Sequence, residues 1–205
     1  MSRRMLYTAV AVVIVVGVAT GVLYGGLKRT IPDPIPASGG EPLTISSVGS
    51  VPYYLQTDPA WAGLELGGSD EKMANAGCTV CCVAMGLSAL GYLVDPGELC
   101  RELGALDGFN NAGQVVWSAV AEATDGEIAI GFPDLTHETI DVELAERRPV
   151  IAKIMLSESV AHWVLIVGKE GREYRVMDPL ERGKVVLGLS ERSKAVEAIR
   201  VFVLE

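Results

Sequence analysis

Three residues have side chains and settings that could carry nucleophilic chemistry. Cys78 follows Gly77 and stands directly before an apolar segment with helical spacing. A helix N-terminus presents unpaired N–H groups and a partial positive charge, and both favour thiolate over thiol. The same N–H groups could hold a developing oxyanion. A lone Cys before a helix is also a common structural residue, so its position alone does not decide the matter. His162 opens the apolar strand Ala161-His162-Trp163-Val164-Leu165-Ile166-Val167. The stretch Gly168-Lys169-Glu170-Gly171-Arg172 reads as a hairpin turn. In an antiparallel pair the indices of opposed residues have a constant sum, so a turn centred near Glu170 sets His162 across from Asp178. A carboxylate facing an imidazole fixes its tautomer and stabilises its cation. Asp178 precedes Pro179 and would equally suit a turn.

The elements that must position these residues follow from periodicity. Val80, Val83, Ala84 and Leu87 predict a helix over Thr79 to Leu90, with Gly91 as its C-terminal cap. Asp95 and Pro96 predict the start of a second helix, reaching Leu103. Further helices are expected over Gly113–Ala123 and Thr139–Arg147, and a single turn within Ser69–Asn75. Strand character marks Val51–Leu55, Val150–Leu156, Trp163–Val167, Tyr174–Met177, Lys184–Leu187 and Ala198–Leu204. Helices mostly precede strands, which predicts an α+β fold with helices packed on an antiparallel sheet.

Ahead of that domain lie two other segments. Met5 to Leu27 is a run of 23 residues without a charged side chain, long enough for a transmembrane helix. It is longer than the apolar region of a cleaved signal peptide, although Ala19 and Gly21 would permit cleavage. Arg3 and Arg4 precede it and Lys28 and Arg29 follow it. With the terminal amine added, the balance favours a cytoplasmic N-terminus and an extracytoplasmic domain. Thr30 to Ser50 holds spaced prolines and then Ser38-Gly39-Gly40, and reads as a linker. The expected organisation is an anchor over 1–29, a linker over 30–50 and a domain over 51–205.

Composition narrows the partners. The 205 residues are 49% apolar with net charge −9, enough for a full core. All 26 acidic residues and all but four of the 17 basic ones lie beyond residue 29. So acidic a surface repels phosphate backbones, and nucleic acid is not an expected partner. The expected partners are a peptide or protein substrate, and the membrane through the N-terminal run. No cofactor is expected. Cys78 and Cys81 form a C-x-x-C, but no second pair or clustered His completes a metal site. Cys81, Cys82 and Cys100 are read as buried small side chains, with a Cys100 bridge to Cys81 or Cys82 as the alternative in an exported domain. His137 is read as a surface residue, and Trp117 and Trp163 as core.

In this order, Val51-Pro52-Tyr53-Tyr54-Leu55-Gln56, Trp61, Ala76-Gly77-Cys78-Thr79, Arg148-Pro149-Val150-Ile151, Ala161-His162-Trp163-Val164 and Val176-Met177-Asp178-Pro179 make a set. From Val51 to about Pro179 the chain resembles the papain-like cysteine peptidases of the bacteriocin-leader-processing type, family C-39. The resemblance implies a papain-like fold with Cys78 as nucleophile, His162 as general base, Asp178 as the residue orienting it, and Gln56 as a side-chain donor to the oxyanion. Thr79 stands where relatives often have a second glycine. No Gly-rich phosphate loop with Lys-Ser/Thr is present, so leader processing is not implied. The expected activity is a cysteine peptidase or amidase, cleaving a peptide or isopeptide bond through a thioester. The alternative is a tethered binding module that keeps the fold without catalysis.

Overall fold

The computed structural model describes residues 33–204. The run Met5–Leu27 lies outside these residues; among the described residues no helix is long and apolar enough to cross a membrane. The architecture is α+β. Five helices, α1 (Met73–Ala76), α2 (Cys78–Ala89), α3 (Pro96–Ala105), α4 (Ala119–Ala123) and α5 (His137–Ala145), pack with a seven-stranded antiparallel sheet. The strands are β1 (Ile35–Pro36), β2 (Ser38–Ile45), β3 (Ile128–Gly131), β4 (Val150–Ser157), β5 (Val160–Met177), β6 (Leu187–Gly188) and β7 (Ala195–Leu204). Their order is β1-β7-β4-β5-β2, with β3 also on β7 and β6 on β5.

Helix α2 is the centre of the core. Every residue from Val80 to Ser88 is buried, the pattern of a helix enclosed on all sides. It packs on β5, β4 and α3. Gly86 lets it approach the sheet: a Cβ there would overlap the Phe202 ring of β7. Its C-terminus closes as expected. Gly91 takes φ +99°, and the Tyr92 and Gly91 N–H groups donate to the Leu87 and Ser88 carbonyls, a Schellman arrangement. Helix α3 opens with a reciprocal capping box between Asp95 and Glu98, and Pro96 occupies its first turn.

The linker expected over 30–50 is corrected in its middle, where β1 pairs with β7 and β2 pairs with β5. The glycines that suggested flexibility serve close approach instead. A Cβ on Gly39 would strike the His137 ring, and one on Gly40 the Asp141 carboxylate. Asp141 clamps this strand, accepting from the Glu41 N–H at 3.0 Å, from the buried Lys169 Nζ at 2.5 Å and from the Tyr174 hydroxyl at 3.1 Å. His137 Nδ1 lies 3.0 Å from that hydroxyl and its ring stacks on Tyr174. His137 is therefore half-buried and structural rather than a surface residue.

Other boundaries moved for local reasons. Val51–Leu55 is irregular. The helix expected from Gly113 starts only at Ala119, because Asn110 Oδ1 accepts from the Ala112 and Gln114 N–H groups and holds a turn, with Gly113 at φ +69°. The helix expected from Thr139 begins at His137, where the Thr136 hydroxyl caps the Thr139 N–H. Only Leu187 of the expected strand Lys184–Leu187 pairs with β5. The four cysteines are unbridged.

Strand β5 is continuous over Val160–Met177 but cannot be straight. Sixteen extended residues would span roughly 53 Å at about 3.3 Å each, yet the side chains of His162 and Asp178 touch. The chain therefore doubles back, with Gly171 at φ +61° in the reversal. Its first half pairs with β4 and its second half with β6. The reversal counts as strand because Ile45, Thr44 and Leu43 of β2 pair across Lys169, Glu170 and Gly171.

Candidate active site

Cys78 is the first residue of α2, reached from α1 through Gly77. A Cβ on Gly77 would lie 2.5 Å from the Met73 carbonyl oxygen, so this tight joint between the two helices requires glycine. The joint leaves the Cys78 N–H in the first turn, without an intrahelical acceptor. Cys78 as a residue is half-buried and lines the groove, whereas Cys81 and Cys82, one turn deeper, are fully buried.

His162 comes from the sheet. It pairs with Ile154 of β4 and is 2% exposed. Its Nε2 hydrogen-bonds Asp178 Oδ1 at 2.6 Å, which leaves Nδ1 for the Cys78 thiol. Asp178 is fully buried. Its Oδ1 also accepts from the Leu180 N–H at 2.8 Å, and its Oδ2 from Arg192 Nε at 2.6 Å. The Tyr53 hydroxyl donates to the Asp178 backbone carbonyl at 2.7 Å and also lies against the Glu181 carbonyl. Burial, with Asp178 and Glu181 nearby, raises the Tyr53 pKa to about 12, so it remains a neutral donor.

These contacts decide the charges. Burial pushes the Cys78 pKa up, but the His162 hydrogen bond and charge, the Trp163 N–H and the Thr79 hydroxyl outweigh it. The net shift is downward. Burial pushes His162 down, but the bonds to Asp178 and Cys78 reverse this and raise it to about 9. Burial pushes Asp178 up; His162, the Leu180 N–H and Arg192 bring it below its ordinary range. A lowered thiol beside a raised imidazole favours thiolate–imidazolium over the neutral thiol–imidazole pair. By contrast, burial drives Cys81 and Cys82 well above the ordinary thiol value.

Gln56 reaches the same groove from the irregular segment before α1. It is 2% exposed, and its backbone N–H donates to the Pro179 carbonyl at 3.0 Å, beside Asp178. Its Nε2 donates to the Ala74 carbonyl at 2.9 Å, while Oε1 is buried without a partner among the described residues. One Nε2 hydrogen stays uncommitted. All four sequence-predicted site residues thus meet: Gln56, Cys78 and His162 line a groove of about 520 Å³, and Asp178 supports it from beneath. Sequence reasoning missed Arg192 and Tyr53 as supports of Asp178. Arg192 carries no local signal. Tyr53 is part of the motif that ends at Gln56, and that motif was the available sign. No group of acidic, His or Cys residues suited to a metal ion occurs among the described residues.

Comparisons with other proteins agree with this arrangement. The model of the Peptidase_C39 like family matches residues 48–193. A solved structure of a candidate C39-like peptidase from Bacillus anthracis aligns with TM-score 0.51 at 16% identity, covering 81% of this chain and 99% of that one. At that identity the likeness concerns the fold alone. Among curated proteins there is no significant match.

Proposed function

This chain belongs to the Peptidase_C39 like family, and from that premise we propose that it is a papain-like cysteine hydrolase cleaving a peptide or isopeptide bond through a thioester at Cys78. The observation that carries the reading is the buried His162–Asp178 hydrogen bond at the wall of an open groove that Cys78, at the head of α2, lines together with His162.

In this reading the Cys78 thiolate adds to the scissile carbonyl. The Cys78 N–H and the uncommitted Nε2 hydrogen of Gln56 are the donors available to the oxyanion. The His162 imidazolium then protonates the leaving amine, and the C–N bond breaks to leave the thioester. Water enters, His162 takes its proton, and hydrolysis frees the acid and restores the thiolate. Asp178 keeps the Nε2 proton in place and balances the imidazolium charge. The Arg192 and Leu180 contacts keep Asp178 ionised and fixed.

Wild-type protein should be labelled at Cys78 by iodoacetamide and should cleave peptides, and Cys78→Ala should do neither. Equal labelling of the two proteins would remove the nucleophile. The tethered binding module without catalysis predicts a Cys78 withdrawn from His162 and no cleavage of any peptide. The uncharged run Met5–Leu27 with its flanking basic residues supports a further part of this reading: a single membrane anchor that holds the domain outside the cytoplasm. Removing residues 1–29 should shift the protein from the membrane fraction to the soluble one; retention in the membrane fraction would contradict the anchor.

A further inference from the structure

The groove is lined by two groups of residues. One, including Gln56, Glu71 and Asn75, belongs to the segment leading into α2; the other, including Lys153, Leu156 and Trp163, belongs to β4 and β5. Lys153 pairs directly with Trp163, the residue after His162. In a chain with 26 acidic residues, Lys153 forms no ion pair and no side-chain hydrogen bond among the described residues. A second cation stands behind the same wall. The Arg200 guanidinium lies 5.3 Å from the Trp117 ring, 5.5 Å from Trp163 and 4.3 Å from Phe132. Trp117 also lines the groove and packs edge-on to Trp163 at 5.2 Å. Arg200 bonds only the Ile199 carbonyl at 2.6 Å, its Nε is buried without a partner, and it too lacks a carboxylate among the described residues. Lys153 thus lines the β4–β5 wall of the groove without a carboxylate partner among the described residues and Arg200 stands behind its tryptophans, while the opposite wall carries the acid Glu71.

We propose that Lys153 determines substrate specificity by binding a carboxylate on the leaving-group side of the scissile bond, with Arg200 adding to the positive potential behind the tryptophans. The side follows from the chemistry. The imidazole returns its proton to the leaving amine, so that half of the substrate lies against the His162–Trp163 wall. Interfacial charges of this kind act chiefly on selection between substrates. The carboxylate can be that of an Asp or Glu side chain or of a free C-terminus. The inference rests on the proposed hydrolysis at the same groove.

The test uses the full chain and internally quenched peptides that differ only on the leaving-group side: Glu with an amidated end, Gln with an amidated end, and Gln with a free end. The wild type should favour one carboxylate-bearing peptide over the amidated Gln peptide by about tenfold in kcat/KM. The favoured peptide identifies the source of the carboxylate. Lys153→Met should bring the ratio near one, and Lys153→Glu should invert it. Each variant is also alkylated at Cys78 with iodoacetate and iodoacetamide, and the rate ratio should fall in Lys153→Glu. A wild type labelled at Cys78 but indifferent to the carboxylate, or a preference surviving Lys153→Met, overturns the inference. So does an unchanged alkylation ratio in Lys153→Glu, even if no peptide is cut. Failure of iodoacetamide to label Cys78 would instead refute the hydrolase reading itself.

Discussion

Replacing Asp178 with Asn separates charge from shape at the centre of the site. The introduced amide can still accept a hydrogen bond from His162 Nε2, but it carries no charge and leaves Arg192 unbalanced beside the imidazole. Burial alone would depress His162; the Asp178 bond is the largest contribution against it and helps carry the pKa from 6.5 to about 9. That rise corresponds to about 3 kcal/mol in favour of imidazolium. Exchanging this charge-assisted hydrogen bond for a neutral one removes roughly 2 kcal/mol, about thirtyfold in the ratio of thiolate–imidazolium to thiol–imidazole. The assay is the second-order alkylation rate of Cys78 by iodoacetamide from pH 5 to 10, with thermal melts to establish that the variant is folded. Asp178→Asn should alkylate more slowly near pH 6, by up to about thirtyfold, with its profile displaced toward that of an ordinary thiol. A folded variant whose profile overlays the wild type would refute the electrostatic argument.

The pH dependence of the wild type has a definite sign. His162 is raised, so its contribution to stability is complete below its unfolded value and is lost as pH rises through about 9, and the imidazolium of the ion pair is lost with it. Peptide hydrolysis should therefore fall above about pH 9, and an alkaline limb two pH units lower would contradict this. Gly86→Ala forces a Cβ into the Phe202 ring and should cost about 1–3 kcal/mol of stability, read by urea unfolding; an unchanged midpoint would show that the helix has room to shift. Lys169→Met strips the clamp on β2 of its cation and leaves the Asp141 carboxylate poorly compensated. It should cost roughly 3–5 kcal/mol, read the same way, and a loss under about 1 kcal/mol would count against that role.

Much of the site was legible because its parts are local. Gly77 before Cys78 and the apolar run behind it mark a helix start, and His162 and Asp178 are separated by a reversal whose glycines are visible. The index argument brought those two together even though the reversal is not a free turn. What it could not foresee was β2, whose pairing across Lys169–Gly171 has no local cause. The same blindness turned Ser38–Ile45 into a linker: Gly39 and Gly40 look flexible until His137 and Asp141 are packed against them. Arg192 was illegible for a similar reason, since only the folded register carries its guanidinium to Asp178. Strand β3 went unread because Ile128–Gly131 is short and pairs only with the C-terminal end of β7.

The position of β2 also bears on how the chain acquires its shape. Ile45 pairs with Lys169 and Thr44 with Glu170, so this early strand waits for a mate synthesised more than 120 residues later. Such closure is entropically slow, and until it happens β2 offers bare backbone groups to other chains. A pull on the N-terminus would strip the two residues of β1 from β7 first and then load β2, whose mate is the far half of the strand that carries His162.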